Sequence, residues 1–389
     1  MASKGNKNNA SLARDTAAKR DYLPNFTLAC VPWRMLEDEV EAWDRLAGRA
    51  AEPNPFFESW YLLPSLRHLP ETDAVTVLRF EQDGELAGIL PVVRPARYYR
   101  WPVPHLSSWL HANCFCGVPL VAKGCEAPFW RATLEWADGA PGAALFMHLR
   151  GIVLGGPMHA ALRGVIACDG RKITIVHNET RAMLASDLSP ESYLEASLSS
   201  KKRKELRRQA NRLADEGEVS YERHTGADDI DQWCDQFFAL EAAGWKGAAG
   251  SALACREGTA QLFRESLQGA AAQSRLERLT LRLSDRPIAM LATFLTPPGA
   301  FSYKTAFDEE FARFSPGVLL QRENLTMLER PEIAWSDSCA SADHPMIDHL
   351  WRERRKVGRI SIAIGGLIRR AAFNGFVRTE MARSPEISS

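Results

Sequence analysis

The chain has 389 residues, 46% hydrophobic and 25% charged, with 48 basic and 48 acidic side chains. At about 150 residues per domain this length predicts two lobes, and the apolar fraction is that of a globular protein. The zero net charge excludes a global preference for polyanions, so any electrostatic function must come from local clusters.

Met1 to Arg20 is polar and has no apolar core, which predicts a disordered tail over 1–22 that is neither secretory signal nor membrane anchor. No run of 18 apolar residues occurs anywhere, so no membrane span is expected and the protein reads as cytoplasmic. A first lobe spans 23–186. Leu28 to Val31 reads as a strand, Met35 to Leu46 has helical spacing, and Phe56 to Leu66 follows the Pro53-Asn54-Pro55 break as an aromatic-rich amphipathic helix. Ala74 to Phe80 and Glu85 to Val93 flank an Asp83-Gly84 hairpin turn. Strands over Leu106 to Leu110 and Cys116 to Val121 follow. A helix from Ala127 to Ala137, a strand from Ala144 to Leu149, a helix from Met158 to Ile166 and a strand from Lys172 to Val176 complete the lobe.

A second lobe spans 187–350 and opens at Ser189-Pro190, where proline suits a first helical position. Helices over Tyr193 to Leu198 and Lys201 to Leu213 precede a strand from Val219 to Arg223. Helices over Ile230 to Ala243 and Thr259 to Ala272 come next. Arg278 to Leu283 and Pro287 to Leu295 form a second hairpin. A strand from Ala300 to Thr305, a helix from Gly317 to Leu328 and a short strand from Ile333 to Trp335 end the lobe. The plan is a doubled α/β lobe with antiparallel hairpins, unlike the strict strand–helix alternation of a dinucleotide-binding domain.

The eight cysteines are scattered, with no C-x-x-C half-site, and read as buried free thiols rather than metal ligands. His344 and Asp348 share i, i+4 spacing, but Pro345 marks a helix start there. His344 and Asp343 therefore read as capping or rim residues, and no metal is expected.

Three stretches of the second lobe resemble one family in order: Ser199-Ser200-Lys201-Lys202-Arg203-Lys204-Glu205-Leu206-Arg207-Arg208; Leu240-Glu241-Ala242-Ala243-Gly244-Trp245-Lys246-Gly247; and Tyr303 to Glu309 followed by Arg313-Phe314-Ser315-Pro316-Gly317-Val318. They resemble the Fem-like and CelD-like branch of the GNAT superfamily. The resemblance implies two tandem GNAT-like lobes, each a mixed, mostly antiparallel sheet flanked by helices. It also implies acyl transfer to an amine, with acyl-CoA as co-substrate and no permanently bound cofactor. The R/Q-x-x-G-x-G/A phosphate loop of that superfamily is absent; Arg313 to Gly317 holds its place in degenerate form. Transfer from aminoacyl-tRNA to an envelope precursor, and a non-catalytic scaffold in polysaccharide biosynthesis, therefore stay open. The neutral chain disfavours tRNA, and no DNA partner is expected.

Arg313, Ser315, Gly317 and Val318 would bind the acyl donor, since a helix N-terminus offers unpaired N–H groups and partial positive charge to a pyrophosphate; an ordinary capped helix is the alternative. The helix opening at Lys201 carries seven cations against Glu205. Lys201, Arg203, Lys204 and Arg207 would grip phosphates of coenzyme A, tRNA or a membrane, or simply form a solvated face. Glu241 could take the amine proton, directly or through water. Tyr303 and Lys304 alternate on a strand, so they should face opposite sides; the inward one would serve the leaving thiolate or the acceptor, and Asp308 would anchor the amine or the loop. Trp245, Lys246 and His344 would line the substrate site, and a buried pair of Glu241 with Lys304 or Lys246 is the structural alternative.

The segment 351–389 reads as a basic amphipathic tail. Between Arg352 and Arg378 it holds eight cations and one acid, interleaved with isoleucines and phenylalanines. Such a pattern suits peripheral contact with an anionic inner-membrane surface, and then the acceptor would be a lipid amine such as a sphingoid base; a tail packed back on the protein is the alternative.

Overall fold

The computed structural model describes residues 24–342, 344 and 346–383; the expected tail over 1–22 lies outside them, as do Asp343 and Pro345. The chain opens with β1 (Phe26–Pro32), α1 (Val40–Gly48) and α2 (Ser59–His68). A meander of β2 (Thr76–Gln82) and β3 (Glu85–Val93) leads into the short β4 (Leu106–Ser108) and β5 (Leu120–Val121). Then come α3 (Glu126–Gly139), β6 (Phe146–Val153), α4 (Pro157–Asp169) and the long β7 (Ile173–Leu184).

The second half repeats the plan. It runs through α5 (Pro190–Ser197), α6 (Ser200–Ala214), β8 (Val219–His224), α7 (Ile230–Ala243), the single turn α8 (Trp245–Ala248) and α9 (Glu257–Ala272). A second meander, β9 (Leu276–Leu283), β10 (Arg286–Thr296) and β11 (Gly299–Phe307), precedes α10 (Pro316–Glu323) and β12 (Trp335–Asp337). The chain closes with β13 (Glu353–Ala363) and α11 (Leu367–Arg383).

Local chemistry accounts for many of these boundaries. Asp83 and Gly84 both take positive φ, as a two-residue hairpin turn demands. The Ser189 and Ser199 hydroxyls accept from Ser192 N and Lys202 N, capping α5 and α6.

All strands join one open sheet, ordered β1-β2-β3-β4-β6-β13-β7-β12-β11-β10-β9-β8, with β5 beside β3. The fold is thus mixed α/β and mostly antiparallel. Two pairs are parallel, one in each half: β4 with β6, and β11 with β12. The halves also share a core, because α2 packs on α9, where a Cβ at Gly269 would lie 2.7 Å from Trp60 Cβ.

The largest departure from the sequence reading is the C-terminal segment. Residues 353–363 form no surface tail; they are a central strand held antiparallel between β6 and β7. Ile360, Ile362 and Ile364 are fully buried, and Phe373 and Val377 of α11 pack with Tyr98 and Phe146. Several cations are occupied within the fold: Arg354 by Asp348, Arg355 by Asp337, Arg369 by the Gly142 and Ala144 carbonyls, and Arg370 by Asp138. Alternation of cations and isoleucines is equally the signature of a strand with one buried face. Among the described side chains of this segment, Leu367 and Ile368 are large apolar ones left exposed. No helix among the described residues is long and apolar enough to cross a membrane.

Candidate active site at the parting of two parallel strands

β11 and β12 pair over three positions, Gly299 to Phe301 against Trp335 to Asp337. Beyond Phe301, β11 continues beside β10, with no strand of the described residues on its β12 side. Its register against β10 slips at the same place: Ala292 faces Lys304 and Thr293 faces Ser302, so Tyr303 is an extra, bulged residue. A bulge interrupts alternation and re-aims side chains. Tyr303 and Lys304 accordingly do not part to opposite sides as expected; both reach the 109–118 loop of the first half.

There the Lys304 ammonium nitrogen lies 2.7 Å from Asn113 Oδ1 and 5.2 Å from the centre of the Phe115 ring. The Tyr303 ring packs edge-on against Phe115 and Tyr61. Its hydroxyl is 3.1 Å from that of Tyr61, which donates at 2.5 Å to the Asn113 carbonyl. With the Tyr61 proton so committed, Tyr303 is the donor to Tyr61. His111 stacks on Tyr61. Burial, reinforced by the charge of Lys246, pushes the Lys304 amine down to about 8. Burial, with Lys304 and Arg150 nearby, pushes His111 down to about 3, so its imidazole is neutral at physiological pH. Burial also raises both tyrosines.

Glu241 is 5% exposed and fully engaged. One oxygen accepts from Lys246 Nζ at 2.8 Å and the other from Leu253 N at 2.7 Å. It therefore ties the turn after α7 to the end of that helix. Lys246 Nζ also lies 3.5 Å from the Thr305 carbonyl, beside Lys304. Trp245 is 61% exposed, and its backbone N–H donates to Glu309. Asp308 faces away from this cluster: it pairs with Arg286 and caps the turn at Glu310 N.

The N-terminus of α10 lies past the end of β11. Ser315 takes a left-handed conformation, φ 54°, and makes no side-chain cap. Gly317 is buried under Met346, where a Cβ would meet its sulfur at 2.3 Å, and Val318 packs with the core under α5. Arg313 turns outward to Glu216 at 2.8 Å. His344 lies close enough to Lys246 for its charge, after burial, to lower the imidazole pKa. Of the cations on α6, Arg203 is spent on the Glu195 and Leu198 carbonyls, whereas Lys201, Lys204 and Arg207 are exposed and form no ion pair among the described residues.

Glu241, Lys246, Tyr303, Lys304 and His344 are thus gathered, while Arg313 and Asp308 point elsewhere. Tyr61, His111 and Asn113 are additions that sequence reasoning missed. The available hint was a polar pair, His111 and Asn113, inside an aromatic loop, but their partner Lys304 is 191 residues away.

An acetyltransferase (GNAT) domain model matches residues 200–344. No curated protein matches the sequence. Among solved structures, the fold is similar to FemX, with 9% identity over 83% of this chain and 95% of that one, TM-score 0.51. It is also similar to a conserved protein of unknown function from Bacteroides thetaiotaomicron, with 13% identity over 83% and 97%, TM-score 0.53. A tandem GNAT protein from the clavulanic acid biosynthesis pathway overlaps more loosely, with 17% identity over 87% and 98%, TM-score 0.43.

Proposed function

We propose, for a chain that carries a GNAT acyltransferase domain in a Fem-like fold, that it moves an acyl group from a thioester to an amine beside Lys304. The observation that carries this reading is the open edge of β11 past Phe301, with a lysine of lowered pKa on the same stretch. A strand edge pairs with an extended amide-bearing arm by main-chain hydrogen bonds, which suits the pantetheine portion of acyl-CoA. Its phosphates would then lie toward the α10 N-terminus and the free cations of α6, Lys201, Lys204 and Arg207.

The amine nitrogen attacks the thioester carbonyl; the C–N bond forms and the C–S bond breaks. A main-chain N–H at the strand edge stabilises the oxyanion. Neutral Lys304 takes the proton released by nitrogen and returns it to the leaving thiolate, and a pKa near 8 suits both transfers at neutral pH. Glu241 acts as a positioning residue, through Lys246 and the turn at Leu253. The membrane argument for a lipid amine falls with the tail that supplied it, so the acceptor class rests on the site itself.

The test measures thiol release from acyl-CoA of several chain lengths with a panel of amines, for the natural chain and Lys304→Met. Loss of at least 10²-fold in kcat with little change in the donor's KM supports the reading. Unchanged kcat in the variant removes Lys304 from the chemistry. Thermal protection by aminoacyl-tRNA but by no acyl-CoA would transfer the donor assignment to tRNA.

A further inference from the structure

Phe115, over whose ring Lys304 lies, also lines a polar concavity of about 160 Å³, together with Arg150, His177, Glu179, Arg181 and Arg359 among others. At about 30 Å³ per water it is roughly a five-water space. Its walls come from three adjacent strands with an unusual register. Against β6, β13 slips between Gly358 and Ile360, so Arg150 and Gly151 together oppose Arg359. Against β7 it slips between Arg359 and Ile360, leaving Val176 as the extra residue beside His177. Gly151 supplies the positive φ of 69° that the first bulge uses. Two bulges at one level turn Arg150 and His177 toward the same hollow as Arg359.

The charges there do not balance. Arg181 is matched by Glu179. Arg150 gives Nη1 to the Leu110 carbonyl at 3.1 Å, and Arg359 gives Nη1 to the Tyr99 hydroxyl at 2.9 Å. Neither has a carboxylate within ion-pair distance among the described residues. Partial burial and the charge of Arg359 both press the Arg150 pKa down, which is the mark of a guanidinium lacking its counter-charge. Two uncompensated guanidiniums in a small hollow favour an oxyanion, which each can bind through paired N–H groups.

We propose that this hollow binds an anionic oxygen group, phosphate or carboxylate, carried by the amine acceptor. The assignment to the acceptor rests on the acyl-transfer reading above; anion binding itself does not. Phe115 lines the hollow and also faces Lys304, so an acceptor anchored by its anion extends past that ring toward the reacting amine position.

The test uses the full chain without acyl donor. Calorimetric titration with inorganic phosphate and with acetate, at constant ionic strength in chloride, is run on the natural chain, Arg359→Gln, Arg150→Gln and Lys304→Met. One of the two anions should bind, at least tenfold more weakly in both arginine variants, with binding kept in Lys304→Met. Which anion binds separates a phosphate-bearing acceptor from a carboxylate-bearing one. Arg359→Gln decides the matter if Arg150→Gln does not fold, because among the described residues the Arg359 side chain bonds only the Tyr99 hydroxyl. No binding of either anion, or equal affinity in Arg359→Gln, overturns the proposal. Anion binding without any thioester turnover would sink the acyl-transfer reading and leave the anion site standing; turnover without anion binding would do the reverse.

Discussion

Lys304→Met isolates one ionisation that the fold perturbs. Lowering a lysine from 10.5 to about 8 corresponds to about 3 kcal/mol at 1.36 kcal/mol per pH unit. Part of the side chain stays exposed, and the resulting solvent screening reduces this to about 2 kcal/mol. Below pH 8 the lysine is charged in both folded and unfolded chains, and the whole penalty bears on the folded state. Between pH 8 and 10.5 the folded chain has released the proton while the unfolded chain still holds it, so stability climbs with pH; above 10.5 both forms are neutral and the climb ends. Methionine keeps the length of the side chain without the charge. It also deprives Asn113 Oδ1 of its donor, an offset of about 1 kcal/mol that does not vary with pH. Urea unfolding of both chains at half-unit steps from pH 7 to 10.5 therefore gives a difference that shifts by about 2 kcal/mol in favour of the natural chain across that range. Parallel curves would refute the claim that the fold holds Lys304 near 8, and with it the proton-transfer role.

Glu241→Gln should lose 1–3 kcal/mol, read by urea midpoint, because its carboxylate holds both Lys246 and Leu253 N. A chain ending at Trp351 should fail to give a cooperative thermal transition, since it lacks the strand between β6 and β7; a transition like that of the full chain would show β13 to be dispensable. Gly269→Ala should lower stability by about 1–3 kcal/mol, because the new methyl meets Trp60 where α9 crosses α2.

Local signals carried most of the element order. The Asp83-Gly84 turn, the helix start at Ser189-Pro190 and the helix over Ile230 to Ala243 were all readable from the sequence. What failed was non-local. The run from Lys172 was read as five residues and is a twelve-residue strand, because β13 supplies pairing along its length. The cations of 352–378 looked like a membrane face because their partners, such as Asp138 and Asp337, lie far back in the chain. Within the site, Glu241, Lys246 and Lys304 were singled out from the sequence, and the fold brings them together. The bulge at Tyr303 was not, since a one-residue slip leaves no periodicity signal.

The position of β13 has a consequence for synthesis. When β7 leaves the ribosome, β6 and β7 still lack the strand that will lie between them, and roughly 180 residues must follow before it is complete. At ~5–20 residues per second that interval is about 10–35 s. Throughout it, two strand edges of the nascent first half lie open to pairing with neighbouring chains. Aggregation during expression should therefore respond to translation speed and holding chaperones more than to substitutions that stabilise the finished fold.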